Sequence, residues 1–202
     1  MTPYVIQTQE ERFAQVDVFS KLIEKRIIYF NGEVDENSCA VTIAQLIYLY
    51  SQSPTEDISM YINSPGGSVY DGLGLYDTMC MVKKTLNLNI VVTGLAASMG
   101  SILLSAGTRG RRFALQNSTI LIHQPMTGVG PHTQASDIEI VANETNRLKK
   151  NLAKILSDAS GKKLEEVIED CDRDNWLAPE KCLPGVYGKY GLIDSIITEF
   201  PK

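Results

Sequence analysis

The sequence lacks several features that would place the protein in other classes. No run of apolar residues approaches the roughly 20 that a membrane-spanning helix needs. The N-terminal stretch MTPYVIQTQEERF has neither the basic region nor the long apolar core of a secretory signal. The formal net charge is -5, whereas a general nucleic-acid-binding domain is basic. We therefore expect neither a membrane nor a nucleic acid as partner, and a location in the cytoplasm or, in a eukaryote, an organelle matrix or stroma.

Residues that commonly bind metals are also scarce. The chain has 4 cysteines and 2 histidines. These residues are Cys39, Cys80, Cys171, Cys182, His123 and His132. No CxxC pair is present, and no two of the six have the short spacing that is usual for zinc ligands. We expect reduced thiols and no metal site.

What the sequence does contain is an alternating globular pattern. Its 202 residues are 44% hydrophobic and 21% charged, which favours a single globular domain. Short runs rich in branched or aromatic residues, namely RIIYF, ISMYI and NIVVTG, are separated by segments of helical periodicity. This alternation predicts an α/β fold in which crossover helices join parallel strands.

Helical periodicity predicts the connecting elements. The stretch SCAVTIAQLIYLYS predicts a helix with Asn37 or Ser38 as its N-cap. The stretch SVYDGLGLYDTMCMV predicts a second helix, and SMGSILLSAG predicts a third that ends at Gly107. Two more strands are expected in RRFALQ and STILIHQP. After the loop MTGVGPHTQ, an amphipathic helix from Ala135 to about Ser157 is long enough to project from the body.

One serine lies where a nucleophile could act. Ser98, within GLAASMGS, falls between a predicted strand and a predicted helix, whose unpaired N–H groups favour developing negative charge. Upstream, NSPGG follows another strand, and its glycines suit an oxyanion hole or a phosphate cradle. The GxSxG elbow of α/β-hydrolases is absent, because Ala96 replaces its first glycine. The small residues around Ser98 also fit simple close packing, so the octapeptide alone does not decide.

A serine mechanism needs a base and an orienting carboxylate. His123 ends an apolar strand, where a side chain can face a cleft, while His132 lies in a loop beside Pro131. We therefore favour His123 as the base. Residue spacing leaves the carboxylate open among several candidates downstream, namely Asp137, Asp170, Asp172, Asp174 and Asp194.

Six motifs occur in an order that points to one enzyme family. They are INSPGGSVYDGLGLYDTM, GLAASMGS, ILIHQP, DIEI, DRDNWLAPE and YGLIDSI. Together they resemble the ClpP family, the proteolytic subunits of Clp proteases, over nearly the whole chain. The resemblance implies an α/β ClpP/crotonase-like spiral of ββα and βαβ units, with a long protruding helix called the handle. It also implies a single peptidase domain over residues 1–202, with an axial N-terminal segment at about 1–20 and the handle region at about 124–160.

The same resemblance assigns roles at the site. It implies that Ser98 is the nucleophile, His123 the base and Asp174 the orienting acid. The backbone N–H groups of Gly67 and Met99 would form the oxyanion hole. The residues expected to bind substrate are Gln124, Pro125 and Met126. The reaction implied is hydrolysis of unfolded polypeptides by a serine endopeptidase, without a metal or an organic cofactor.

The resemblance further implies an assembly. Family members form two stacked seven-membered rings that enclose a chamber, and an AAA+ unfoldase such as ClpX, ClpA or ClpC feeds unfolded chains through axial pores. The N-terminal segment from about Thr2 to Phe13 would gate the pore. Tyr61 and Met81 match positions that dock the ATPase, and Asp172 with Arg173 matches a pair that couples ring contact to activity.

Two other functions compete with this interpretation. A crotonase-type enzyme has a similar spiral and uses glycine-rich turns to hold the oxyanion of an acyl-CoA thioester. A non-catalytic ring subunit would only scaffold or gate the chamber. Filled Ser, His and Asp positions favour the peptidase over both alternatives.

Overall fold

The computed structural model of the chain describes residues 4–9, 12–185 and 190–199. The strands are β1 Tyr4–Gln9, β2 Arg12–Asp17, β3 Ile27–Asn31, β4 Ile58–Ser64, β5 Leu88–Ala97, β6 Arg112–Leu115, β7 Thr119–Ile122, β8 Asn175–Leu177 and β9 Ser195–Ile197. The helices are α1 Val18–Glu24, α2 Glu36–Gln52, α3 Val69–Val82, α4 Met99–Ser105, α5 Ala135–Ser160, α6 Leu164–Asp170 and α7 Pro179–Cys182.

The main sheet is built from parallel strands joined by helices. Strands β3, β4, β5, β6 and β9 are neighbours in that order, and each pair is parallel. Helices α2, α3 and α4 form the successive crossovers between β3, β4, β5 and β6. Strand β7 is parallel to the end of β5, and β8 pairs antiparallel with β7. The predicted α/β class with parallel strands is confirmed.

The hydrophobic core lies between this sheet and its helices. Strand β4 buries alternate residues, whereas β5 is buried continuously from Leu88 to Val92. Such a continuous run is typical of a strand covered on both faces. Leu46 of α2, Leu75 of α3 and Leu104 of α4 are fully buried against it. The end of β5 leads directly into the segment that contains Ser98.

Two helix boundaries differ from those expected from the sequence. Helix α2 begins at Glu36 with Asp35 as its N-cap, two or three residues earlier than the predicted cap at Asn37 or Ser38. The Ser38 N–H donates to the Asp35 carboxylate at 2.8 Å, and the Asp35 N–H donates to the Ser38 hydroxyl at 3.0 Å. This reciprocal capping box makes Ser38 the third helical residue rather than the cap.

Helix α4 ends at Ser105 with Ala106 as its C-cap, so Gly107 lies beyond the helix. A Cβ atom at Gly107 would lie 2.7 Å from the Arg112 side chain and 2.9 Å from that of Ile90. The glycine therefore permits close packing between the turn and the sheet, and it is not the residue that stops the helix.

Helix α5 has two unlike halves. Its buried residues, Leu148, Leu152, Ala153 and Leu156, all lie in the C-terminal half. In the N-terminal half, Ile138 and Ile140 are exposed. The helix thus packs on the core at one end and presents apolar side chains to solvent at the other, which fits the predicted projecting helix.

The N-terminal strands β1 and β2 form an antiparallel pair in the part of the chain that the structure describes. Of the expected gating segment from Thr2 to Phe13, residues 2–3 and 10–11 lie outside the described residues. The four cysteines form no disulfide. No helix among the described residues is long and apolar enough to cross a membrane.

Candidate active site

Ser98 occupies a strained turn between β5 and α4. Its backbone has φ 54° and ψ -119°, a conformation that non-glycine residues rarely adopt. The Ser98 N–H donates to the Leu121 carbonyl at 2.9 Å, and its carbonyl accepts from the Ser101 hydroxyl at 2.7 Å. Neighbouring strands and the first turn of α4 therefore hold this conformation, which resembles the sharp strand-to-helix turn that carries the nucleophilic serine of α/β-hydrolases.

His123 and Asp174 meet because of the register between β7 and β8. Ile122, the last residue of β7, lies opposite Asn175, the first residue of β8. The next position in this antiparallel register places His123 across from Asp174. The His123 Nδ1 atom lies 2.9 Å from the Asp174 Oδ1 atom. The imidazole is 12% exposed and the carboxylate 58% exposed.

Ser98 and His123 line one small cavity. Its volume is about 20 Å³, and its walls include Val69, Ile102 and Leu156. Among the hydrogen bonds of the described residues, none joins the Ser98 hydroxyl directly to the imidazole of His123. Catalytic hydrogen bonds of this kind often tighten only when substrate binds.

The NSPGG turn lies directly beside Ser98. A Cβ atom at Gly66, whose φ is +93°, would lie 2.6 Å from the Ser98 Cβ atom and 3.1 Å from the Met99 nitrogen. The Gly66 N–H already donates to the Ser64 hydroxyl at 3.1 Å. Gly67 lies opposite Val34 in a parallel bridge. The hydrogen bonds of this bridge run from the Val34 N–H to the Gly66 carbonyl and from the Ser68 N–H to the Val34 carbonyl. In this pattern the N–H of Gly67 itself points away from Val34.

The amide of Met99 is a second available donor. Met99 is the first residue of α4, and an N–H group in that position has no partner within its helix. The Met99 amide directly follows Ser98 in the chain, and Gly67 directly follows Gly66, the residue packed against Ser98. Backbone donors arranged in this way can stabilise an oxyanion without reorganising.

A larger groove continues from this site along α5. Its volume is about 480 Å³, and its lining includes Gly67, Val69, Pro125, Met126, Ile140 and Leu148. One wall carries a polar cluster in which the Tyr70 hydroxyl donates to Glu144 at 2.8 Å. Two nitrogens of Arg147 also contact Glu144, each at 2.7 Å. These hydrogen bonds, first from Arg147 and then from Tyr70, lower the pKa of Glu144 to about 2, so the cluster stays ionised at neutral pH.

Comparison with known proteins identifies the family. The family model described as Clp protease matches residues 8–200. The chain is 47% identical over 202 residues to the ATP-dependent Clp protease proteolytic subunit of Porphyromonas gingivalis, covering 100% of this chain and 87% of that protein. The chain belongs to the Clp protease family.

Other members of the Clp protease family align over comparable lengths. The ATP-dependent Clp protease proteolytic subunit 2 of a Synechococcus species is 45% identical over 201 residues, covering 100% of this chain and 98% of that protein. The corresponding subunit of Streptococcus mutans is 44% identical over 197 residues, with coverages of 98% and 97%. The family resemblance drawn from the six sequence motifs is confirmed.

The residues after His123 connect the site to the segment before Asp174. The Gln124 N–H donates to the Cys171 carbonyl at 2.7 Å, and its side-chain amide donates to the Asp172 carbonyl at 2.7 Å. The side chains of Asp172 and Arg173 are exposed, and Arg173 Nε lies 3.9 Å from Asp172 Oδ2. The residue after His123 is therefore hydrogen-bonded to the segment that directly precedes Asp174.

The residues expected to dock an ATPase lie elsewhere. Tyr61 is a half-buried residue of β4, and burial raises the pKa of its hydroxyl. Met81 is 67% exposed near the end of α3. Neither residue lines the cavity that contains Ser98 and His123.

Most of the other candidate residues have different surroundings. Asp170 pairs with Lys162, and Asp194 forms a bidentate contact with Arg112. Asp137 lies in the first turn of α5, and His132 lies in the preceding loop with a positive φ of 63°. No group of three potential metal ligands occurs among the described residues.

Proposed function

We propose that this member of the Clp protease family is a serine endopeptidase in which Ser98, His123 and Asp174 act as a catalytic triad. The observation that carries the proposal is the 2.9 Å contact between His123 Nδ1 and Asp174 Oδ1, beside a cavity shared by His123 and Ser98. A crotonase-type acyl-CoA enzyme would give this histidine–aspartate pair no role.

The contact fixes the direction of proton transfer. Because a carboxylate only accepts hydrogen bonds, Asp174 holds the His123 tautomer that carries its proton on Nδ1. The lone pair of Nε2 is then free to take the proton of Ser98 as its oxygen attacks the scissile carbonyl. The Gly67 and Met99 amides stabilise the oxyanion, and protonated His123 delivers the proton to the leaving amine. His123 then accepts a proton from water as the water hydrolyses the acyl-enzyme. No metal or organic cofactor is required.

The groove beside the triad suits an unfolded polypeptide. Gln124, Pro125 and Met126 continue from His123 in a segment outside helices and strands, and Met126 is 81% exposed. An extended substrate can pair with the backbone of such a segment and place a side chain against the apolar groove below α5. The polar cluster at Glu144 closes one wall of that groove.

We further propose that the chain assembles into two stacked seven-membered rings, works in the cytoplasm or an organelle matrix, and receives substrates from an AAA+ unfoldase of the ClpX, ClpA or ClpC type. Its relatives carry the words ATP-dependent in their names. A single chain exposes several large apolar side chains, including Tyr29, Ile47, Tyr48 and Ile140. Such exposure is typical of surfaces that other subunits cover, and it supports the proposed assembly. Tyr61 and Met81 would contact the unfoldase, and Asp172 with Arg173 would couple contact between rings to the triad.

Covalent labelling with a fluorophosphonate tests the mechanism. We expect modification of the assembled wild-type protein at Ser98, located by mass spectrometry of the digested product. Ser98→Ala should remove both the labelling and the hydrolysis of a fluorogenic peptide while leaving the assembly size unchanged. His123→Ala should remove the labelling although the serine is present. Peptide hydrolysis at the wild-type rate by Ser98→Ala would refute the proposal.

A further inference from the structure

Strands β4 and β5 contain an irregularity just before the proposed nucleophile. They pair in register from Ile58 opposite Leu88 to Ile62 opposite Val92, and pairing resumes only at Ser64 opposite Ala96. Asn63 is thus the single β4 residue opposite three residues of β5, namely Thr93, Gly94 and Leu95. A bulge of this kind leaves backbone groups without ladder partners and redirects the strand.

The side chain of Asn63 occupies the position of the missing ladder bond. Its Oδ1 atom accepts the Leu95 N–H at 3.0 Å, and its Nδ2 group donates to Asn31 Oδ1 at 2.8 Å. A Cβ atom at Gly94 would lie only 2.7 Å from Asn63 Oδ1, so the carboxamide lies close against the bulged backbone. Because the Leu95 amide can only donate, the oxygen of Asn63 must be the atom that faces it.

The bulge is also where β5 exchanges one neighbour for another. Before it, Ile90 to Val92 pair with β6, and after it, Leu95 to Ala97 pair with β7. Strand β7 leads directly into His123, and Ser98 donates its N–H to Leu121 of β7. The change of neighbour therefore brings the nucleophile strand beside the strand that carries the base.

The same residue belongs to the turn that approaches Ser98 from the other side. Asn63 lies three residues before Gly66, whose α-carbon is packed against Ser98. Its own carbonyl accepts the Gly32 N–H at 2.9 Å, which fixes the end of β4 to the chain that follows β3. One side chain thus connects the two strand ends that present the serine and the proposed oxyanion donors.

We infer that Asn63 is a positioning residue for the serine mechanism: its carboxamide replaces the absent ladder bond and sets the direction of β5 as the strand enters Ser98. This inference rests on the proposed function. It predicts that Asn63 acts on the chemical step, because misplacement of a reacting group by about 1 Å can lower a rate by about 10²-fold.

The test compares two substitutions in the assembled full-length chain. Asn63→Leu keeps a side chain of similar size but leaves the Leu95 amide without its acceptor. Asn63→Asp keeps that acceptor, and a rotated Asn31 carboxamide can donate to its second oxygen. We expect Asn63→Leu to lower kcat and the rate of fluorophosphonate labelling by about 10- to 100-fold with KM changed less than about twofold. Asn63→Asp should restore both rates to within about threefold of wild type.

Asp194→Asn provides a control for general destabilisation, because its contact with Arg112 involves no residue of the bulge or of the proposed triad. It should lower the melting temperature, while its labelling rate well below the unfolding transition should equal that of the wild type.

Folded Asn63→Leu protein that is labelled as fast as wild type would overturn the inference. An equal loss of labelling rate in Asn63→Asp would also overturn it. If Asn63→Leu does not fold, Asn31→Ala removes only the anchor of the carboxamide, and an unchanged labelling rate in that variant would also overturn it. Absence of labelling in wild type would instead contradict the proposed function itself.

Discussion

Replacing Gly66 with alanine should disable the site while preserving the fold. The added Cβ atom would lie 2.6 Å from the Ser98 Cβ atom and 2.7 Å from the Ala97 carbonyl oxygen. Both neighbours belong to the turn that holds the nucleophile, so relief of the contact must move that turn. Separation to an ordinary 3.4 Å requires a shift of about 0.8 Å.

A shift of this size fixes the expected magnitude. Misplacement by about 1 Å can reduce a catalytic rate by about 10²-fold, so we expect kcat/KM to fall by about 100-fold in Gly66→Ala. The positive φ of +93° adds backbone strain of about 1–2 kcal/mol for a residue with a side chain. In a domain of this size, that strain corresponds to a decrease of about 2–8 °C in melting temperature.

The assay is hydrolysis of a fluorogenic peptide together with the rate of fluorophosphonate labelling, both at 25 °C. Gly74→Ala is a matched control, because no heavy atom lies within 4 Å of its added Cβ atom. It lies inside α3, where alanine is preferred to glycine by about 1 kcal/mol, so melting should rise by about 2–4 °C at unchanged activity. Wild-type activity in Gly66→Ala would refute the close approach of the glycine turn to the nucleophile.

Two further predictions concern ionised side chains. Asp194 is 16% exposed beside Arg112. Burial raises the pKa of its carboxyl, but the hydrogen bonds from Arg112 and Gly110 together lower that pKa by more. The folded pKa is below the unfolded value of about 3.9, so this contribution to stability is present above pH 4 and is lost as the pH falls through the folded pKa. Asp194→Asn should therefore lower the free energy of unfolding by about 3–5 kcal/mol near pH 7 and flatten the acid limb of a melting-temperature profile; an unaltered profile would contradict this role. Asp174→Asn should lower kcat by about 10²- to 10⁴-fold with little change in KM, measured by peptide hydrolysis, and a decrease below threefold would exclude it as the orienting acid.

Local patterns in the sequence were sufficient for most of the elements around the site. Branched residues predicted β4 and β5, and helical periodicity predicted α3 and α5, because both patterns reflect which faces are buried. The predicted cap of α2 was wrong by two or three residues, since Asn37, Ser38 and Asp35 all have side chains that can cap a helix. Only the folded geometry selects the residue whose oxygen reaches the third amide of the helix.

The choice of the orienting acid illustrates a different limit. Six aspartates lie downstream of His123, and residue spacing could not separate the five candidates among them. The family resemblance indicated Asp174, and that assignment stays a prediction. The structure adds the physical relation, because the antiparallel register of β7 and β8 brings Asp174 to His123 across 51 residues of chain. A register between distant strands is not encoded in any local pattern.

The sequence by itself determined the α/β class, the strand-to-helix position of Ser98, the glycine turn at Gly66 and the family, because these depend on short-range patterning and ordered motifs. The tertiary structure alone decided the bulge at Asn63, the exchange of β6 for β7 along β5, and the amide directions around Ser98. Each of these depends on contacts between segments more than 20 residues apart in the chain. The side chain of Asn63 gains its role only because β5, a strand from another part of the chain, presents the Leu95 N–H group without a ladder partner.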